Sequence, residues 1–344
     1  MNDNIRNSKG AIFFICAFFV ITMLFAANLA VGAVRIPIGE ILKILAGGGK
    51  NDVLRFIIIE SRLPQAITAI LCGASLAVCG LMLQTSFRNP LAGPSIFGIN
   101  SGASLGVAIV ILLFNGSIST QMLTVSGFAA IIAGAFIGAS VIILLLLFFS
   151  KTIRSNTALL IVGIMIGYVS SAAISILNFF ATDQGVTAYV MWGMGNFSSV
   201  SIQHIPVFVT TTMVCLLLSM LLIKPLNALL LGERYAVNLG FNTNHVRMWL
   251  LLLTGLQTAV TTAYCGPVAF IGLAVPHITR MFLTTDDHSI MMPGTALTGS
   301  AIALLCNVIC TLSPNGSIIP LNAVTSLVGA PVIVYVVMKH RGKA

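Results

Sequence analysis

The chain has 344 residues, of which 58% are hydrophobic and only 7% charged, with a formal net charge of +9. A soluble domain is nearer about 25% charged, and so few charges cannot cover a surface facing water, so the surface must face lipid. The basic residues form no single patch, which argues against a nucleic-acid partner and fits charges placed between membrane spans.

In lipid every backbone N–H and C=O must be paired within the protein, which leaves a helix bundle or a closed barrel. A barrel would alternate apolar and polar residues in short strands. Here the apolar runs are continuous and long, as over 125–149. The expected fold class is therefore all-α, a polytopic membrane helix bundle. It forms a single transmembrane domain over 1–344 whose spans need about 20 apolar residues each.

Residues 1–10 are polar and carry Arg6 and Lys9, and 11–33 are apolar. That run is long for a signal sequence and another span follows, so it reads as an uncleaved first span with a cytoplasmic N-terminus. Residues 34–61 form an outer loop. Its apolar positions (Ile36, Ile38, Ile41, Leu42 and Leu45, then Val53, Leu54, Ile57 and Ile58) predict short amphipathic helices on the membrane surface. Gly47-Gly48-Gly49-Lys50-Asn51 lacks the spacing and hydroxyl of a phosphate loop and reads as a turn. Arg62-Leu63-Pro64 opens the second span, with Pro64 in the first helical turn and Arg62 snorkelling to the interface.

That span runs to about residue 83. The third is expected at about 95–114, the fourth at 123–149 with Lys151 and Arg154 beyond it, and the fifth at 157–181. Residues 182–203 are amphipathic and glycine-rich, with Tyr189 and Trp192 as interface anchors. Further spans follow at about 204–223, 248–263, 267–283, 292–312 and 321–338, making about ten. With the N-terminus inside, alternation places 1–10, 84–94, 150–156, 224–247, 280–291 and 339–344 in the cytoplasm. Those segments hold twelve of the seventeen Lys and Arg residues. The other five (Arg35, Lys43, Lys50, Arg55 and Arg62) lie in or beside the outer loop.

No catalytic constellation is visible. The seven cysteines are scattered through apolar segments, unlike a disulfide framework, and lack metal-ligating neighbours. No acidic residue lies in mid-span, where an ion-coupled secondary transporter usually keeps a relay. Small and hydroxyl residues are frequent (Ser75, Ser101, Ser104, Ser170, Ser171, Ser175, Thr258, Thr261 and Thr262). They suit either close helix packing or an uncharged pathway lining.

Three stretches interrupt the apolar pattern. Arg88-Asn89-Pro90-Leu91-Ala92-Gly93-Pro94 cannot continue a helix. Irregular backbone at such depth is tolerated where protein or a water-filled cavity covers it, which suggests a pathway or gate. The 224–247 loop, with breaks at Gly232 and Gly240, reads as two short helices on the inner face. It is longer than a connector needs, and exposed Glu233 and Arg234 suggest a docked partner. In the third stretch, residues 266–280, Pro276 should bend the span near its inner end, where a packed His277 and Arg280 follow.

In this order the blocks resemble the permease family of ABC importers for iron–siderophores, haem and cobalamin, the type II importers. They are Arg62-Leu63-Pro64, Asn89-Pro90-Leu91, the run Gly232, Glu233, Ala236, Leu239 and Gly240, the run Gly272, Leu273, Pro276, His277 and Arg280, and Leu327-Val328-Gly329-Ala330-Pro331. The resemblance implies a homodimer in a bacterial inner membrane, with both termini of each copy cytoplasmic. It implies two cytoplasmic ATPase subunits gripping Gly232, Glu233, Arg234, Ala236, Leu239 and Gly240. The chain itself would bind no cofactor and catalyse nothing, ATP and Mg being used by the ATPase. Asn89, Pro90 and Leu91 would form the inner gate. An external substrate-binding protein would dock on Lys43, Lys50 and Arg55. The expected cargo is an iron–siderophore complex, with cobalamin or haem as alternatives and a secondary transporter as the reading of another class.

Overall fold

The computed structural model describes residues 2–48, 51–114, 118–120, 123–125, 127–153, 155–312 and 319–341. In chain order it contains α1 (Asn2–Ala30), α2 (Ile38–Leu45), α3 (Asp52–Phe56), α4 (Leu63–Phe87) and α5 (Ile99–Ala108). Two three-residue strands follow, β1 (Ile118–Thr120) and antiparallel β2 (Leu123–Val125), in register Ser119 to Thr124. Then come α6 (Gly127–Thr152), α7 (Asn156–Phe180), α8 (Asp183–Gly193), α9 (Ile205–Met220) and α10 (Ile223–Leu231). The chain continues through α11 (Glu233–Asn238), α12 (Thr243–Cys265), α13 (Ile271–Leu283), α14 (His288–Thr311) and α15 (Leu321–Arg341). π-Helical turns at Ile57–Arg62 and Ile109–Leu113 join α3 to α4 and extend α5.

The all-α expectation holds apart from the small ribbon. Among the described residues, six helical stretches are long and apolar enough to cross a membrane: Gly10–Ala30, Asp52–Phe87, Gly127–Thr152, Asn156–Phe180, Thr243–Cys265 and His288–Thr311. The pair α9 and α10, bent by 47°, makes a seventh if it is one span. Three further apolar helices, Ile99–Leu113, Ile271–Leu283 and Leu321–Val336, are shorter. Length and composition thus give six or seven spans where about ten were expected.

Several expected boundaries move. The outer loop ends at Asn51, whose side chain accepts from Val53 N and Leu54 N and so starts a helix that continues to Phe87. Pro64 consequently lies inside a continuous helix, just after the π turn, rather than in a first turn. Arg62 does not snorkel outward. It is 7% exposed, and its guanidinium donates to the Leu29 carbonyl at 2.7 Å and to the Val34 carbonyl. The apolar run at 123–149 begins as strand β2 and becomes helical at Gly127.

The chain forms two compact units. The first comprises Met1–Val78, Asn196–Met213 and Ala269–Ala344, the second Cys79–Gly195 and Val214–Val268. In the first, α14 packs on α1, α13 and α15. Gly73 of α4 faces Gly299 of α14 so closely that a Cβ on either would lie 2.3 Å from the other's carbonyl oxygen. Three buried amides tie this unit together. Asn307 Nδ2 donates to Asn28 Oδ1 at 2.6 Å, and Gln65 Nε2 donates to Asn307 Oδ1 at 3.0 Å. Asn28 Nδ2 in turn donates to the Leu304 carbonyl at 3.1 Å. An unpaired amide here would cost about 1–3 kcal/mol, so the three are kept as a set.

In the second unit α5 packs on α6 and α7, and α6 on α12. Gly102 and Gly106 of α5 lie against Gly134 and Gly138 of α6. A Cβ on Gly106 would fall 1.9 Å from the Gly134 carbonyl oxygen, and one on Gly138 would fall 2.1 Å from that of Gly102. Lipid tails offer helices no hydrophobic drive to associate, so close backbone approach through small residues supplies the dispersion that holds the pair. Overpacking of a core costs about 1–3 kcal/mol when side chains can shift, and here only backbone is in the way. Gly106→Leu should therefore lower the melting temperature and yield of the detergent-solubilised protein sharply. Gly193→Leu, a position with no heavy atom within 4 Å of a Cβ, should leave both near wild type.

Candidate functional site

The second unit brings together two of the three stretches marked in the sequence. Helix α4 ends with Arg88 in left-handed backbone (φ 47°), a conformation uncommon for a residue with a Cβ. The next residues close a turn: Asn89 O accepts from Ala92 N at 3.0 Å, and Asn89 Oδ1 accepts from Leu91 N at 2.9 Å. Pro90 suits that turn because it has no N–H to satisfy. Leu91 is exposed and Asn89 partly so. Phe97 is fully buried and its ring lies 4.6 Å from that of Phe87, which fastens the far side of the break. Helix α7 crosses there, with Gly163 so near that a Cβ would sit 3.0 Å from Phe97 Cα.

The inner loop forms the two short helices expected, α10 and α11, separated at Gly232 and ended at Gly240. Their φ values of 129° and 87° strongly favour glycine. Ala236 is fully buried and packs with Ala228, Leu229 and Val246, with Phe241 against them. Arg234, Tyr235, Val237, Leu239 and Gly240 are exposed. Of the six loop residues marked in the sequence, Ala236 thus anchors the loop, the two glycines shape it, and Arg234 and Leu239 face outward.

Glu233 is the electrostatic centre. Its carboxylate accepts from the buried Arg247 guanidinium at 3.2 Å and from Asn156 Nδ2 at 3.1 Å. Asn156 Nδ2 also donates to the Ser86 carbonyl at 3.2 Å, and Arg88 Nη2 donates to the Leu229 carbonyl at 3.2 Å. A cavity of about 680 Å³ opens among Arg88, Asn156, Gly232, Glu233, Arg234 and Tyr235. The break after α4 and the loop at α10–α11 are therefore joined by side chains, which the sequence did not reveal. Asn156 and Arg247 went unmarked because neither belongs to a recognisable block. The polar first turn of α7 was the only local signal.

The third stretch belongs to the first unit. Helix α13 runs through Pro276, His277 is buried, and Arg280 Nε donates to Asp286 Oδ1 at 3.2 Å. Gly329 of the last sequence block accommodates Phe270, the left-handed residue before α13, since a Cβ there would meet Phe270 Cβ at 2.6 Å. Of the outer basic residues, Lys43 on α2 and Arg55 on α3 are exposed, and Lys50 lies outside the described residues.

The hydroxyl residues divide. Thr258 and Thr261 are buried and bond carbonyls of their own helix, and Thr262 donates to Asn100 Oδ1 at 3.1 Å. These are packing groups. Ser171 and Ser175 of α7 are exposed. The expected anchors Tyr189 and Trp192 stack with ring centroids 6.2 Å apart, beside a cavity of about 970 Å³ that Thr182, Asp183, Gln184 and Trp192 help to line. Burial holds the Tyr189 phenol above its ordinary pKa, offset in part by its hydrogen bond with Ser104. Among the described residues no group of three or more His, Cys, Asp or Glu side chains is placed to hold a metal ion.

Comparison with known proteins gives this geometry a context. Vitamin B12 import system permease protein BtuC of Pectobacterium atrosepticum is 33% identical over 291 residues, covering 85% of each chain. The protein of that name from Citrobacter koseri is 35% identical over 282 residues, 82% of this chain and 83% of the other. Among solved structures, a metal-chelate type ABC transporter in an inward-facing conformation is 26% identical, with a TM-score of 0.82 over 96% of this chain and 99% of that one. PsaBC from Streptococcus pneumoniae, at 18% identity and a TM-score of 0.52, shares the fold alone. Residues 19–339 match the FecCD transport family, and the chain belongs to that family as a multi-pass ABC-importer permease.

Proposed function

We propose that this permease carries a bulky metal chelate inward, driven by ATP hydrolysed in separate subunits that dock on α11. The observation that carries the reading is the tip of that helix. Tyr235 and Val237 stand exposed on a six-residue helix, and Leu239 just past its end; two positive-φ glycines flank the segment and its one buried residue, Ala236, anchors it. Exposed apolar groups held on a rigid tip, beside a charged pair, fit a protein partner. Cobalamin is the first cargo to test, because the relatives above are named for its import. The iron–siderophore expectation is the second reading, favoured by the metal-chelate character of the solved neighbour, and haem follows the same logic.

In this reading the whole chain acts as one permease domain and pairs with a second copy. Ten spans are reached by counting the six long helices, the bent α9–α10 pair and the three shorter apolar helices. That even number returns the C-terminus to the side of the N-terminus, which the basic residues make the cytoplasm. Asn89, Pro90 and Leu91 then lie at the inner gate with Pro276, His277 and Arg280 near the inner face, and Lys43, Lys50 and Arg55 meet an external binding protein. The chain would supply no catalytic group and hold no cofactor.

Three measurements test this. In a Cys16→Ser background, Lys43→Cys should react with an impermeant maleimide on intact cells, and Arg234→Cys only after permeabilisation. The reverse pattern would invert the topology. Cells lacking their own permease, given this chain with its ATPase and binding protein, should take up labelled cobalamin. Vanadate should stop that uptake and a protonophore should not. Uptake of a ferric siderophore instead would move the assignment to the second reading. Glu233→Gln weakens a charge-assisted bond worth about 1.5–3 kcal/mol, and Gly240→Val adds about 1–3 kcal/mol of backbone strain. Each should cut uptake roughly tenfold or more while the protein still elutes as a folded species by size exclusion.

A further inference from the structure

We propose that Asn156 is a positioning residue: its side-chain amide ties the docking helix α11 to the break after α4, so that displacement of one is felt by the other. The proposal rests on reading α11 as the ATPase-docking element.

The amide bridges two segments far apart in sequence. Its Nδ2 donates both to the Glu233 carboxylate, at 3.1 Å, and to the Ser86 carbonyl, at 3.2 Å. Ser86 lies two residues before Arg88, where the chain turns left-handed into Asn89-Pro90. Both partners are acceptors only, so the nitrogen must face them and the amide orientation is fixed by chemistry. The oxygen then points the other way. Asn156 Oδ1 is buried and has no hydrogen-bond partner. A flip cannot relieve it, because that would set the oxygen against a carboxylate and a carbonyl.

A buried acceptor without a donor is costly; Asn178 and Gln257 also carry such an oxygen, and Asn156 differs from them in sharing a cavity with guanidinium groups. The donors exist close by. Arg88 and Arg234 line the same cavity as Asn156 and Glu233. If a partner pulls α11 and draws Glu233 away, one donor bond is lost and the amide can turn toward a guanidinium. The arrangement seen is thus one of two accessible to the same side chain, with Glu233 selecting between them. A coupling claim needs such a two-state element. Because Asn156 is also the first residue of α7, just after its capping Ser155, the same switch acts on the start of that helix.

The test uses the assembled transporter in lipid vesicles. Ser95→Cys, an exposed position just beyond the break, in a Cys16→Ser background, reports maleimide labelling rates with and without ATP plus vanadate. With Asn156 intact, nucleotide should change the rate. Asn156→Ala should leave the ATPase subunits bound and hydrolysing but shrink that change roughly fivefold or more, the scale of one lost charge-assisted hydrogen bond. Asn156→Asp, which keeps the volume and removes the donor, should do the same and guards against local collapse. Combining Asn156→Ala with Glu233→Gln should cost clearly less than the sum of the two single losses, since both changes act on one shared contact. An unchanged nucleotide response in Asn156→Ala with ATPase bound, or additive losses in the double variant, overturns the relay alone. Absence of any nucleotide response with Asn156 intact overturns it too. Failure of the unmodified chain to bind ATPase subunits sinks the docking reading, and the relay with it.

Discussion

A peptide group inside hydrocarbon has no water to turn to, and almost every feature of this chain follows from that. Helices satisfy their own N–H and C=O groups, so the described residues are nearly all helical. The same constraint governs the side chains. Thr254, Thr258 and Thr261 return their hydroxyl protons to carbonyls one turn back on α12. Asn28, Gln65 and Asn307 satisfy one another. Arg62, a full charge, is admitted because the otherwise unpaired carbonyls of Leu29 and Val34, at and beyond the end of α1, accept from it. Each of these groups is kept by a specific partner, whereas a few buried side-chain atoms among the described residues, Asn156 Oδ1 and Gln257 Oε1 included, have none.

Where the backbone leaves the helix, the partners must come from elsewhere. At the end of α4 they are Asn89, whose side chain and carbonyl serve Leu91 and Ala92, and Asn156, which takes the Ser86 carbonyl. At the end of α10 the Leu229 carbonyl accepts from Gly232 N and, in addition, from Arg88. The two interruptions in the second unit are thus joined directly by Arg88 and, through Asn156 of α7, by way of Glu233 and the Ser86 carbonyl. That is a structural reason for a break and a loop so far apart in sequence to lie side by side. It also explains why each is built from residues that would weaken an ordinary span.

Much of this could be read from the sequence because the signals were local. Charge scarcity fixed the lipid environment, and Pro90, Gly232 and Gly240 marked the interruptions through their own backbone restrictions. What stayed hidden was non-local. The fate of Arg62 depended on carbonyls some thirty residues earlier, so snorkelling was the natural expectation and burial the outcome. The start of the second long helix depended on Asn51 as a cap and on a π turn that absorbs Pro64, neither of which hydropathy registers. The glycines of α5 and α6 were visible as small residues, but only the structure shows that they are matched in register. The span counts differ for a related reason: α5, α13 and α15 are apolar, as the sequence pattern had marked them, but shorter than a full crossing.

Magnitudes indicate where motion can occur in the second unit. Along the α5–α6 seam, carbonyl oxygens stand where a Cβ would be, and sliding one helix past the other would drive Val110 or Ile142 into backbone. Such an interface is rigid because its alternatives are clashes. The contacts around Glu233 are of another kind. The Glu233 side chain is 45% exposed, so solvent screens its charge-assisted bonds and holds them toward the low end of the about 1.5–3 kcal/mol that such bonds are worth. Its neighbours are single hydrogen bonds, one of them from an amide whose own oxygen is unsatisfied. A force applied at α11 will therefore be relieved at the Glu233, Asn156 and Arg88 contacts well before it deforms the glycine seam. That ordering of stiffness gives the unit a fixed frame with one compliant joint.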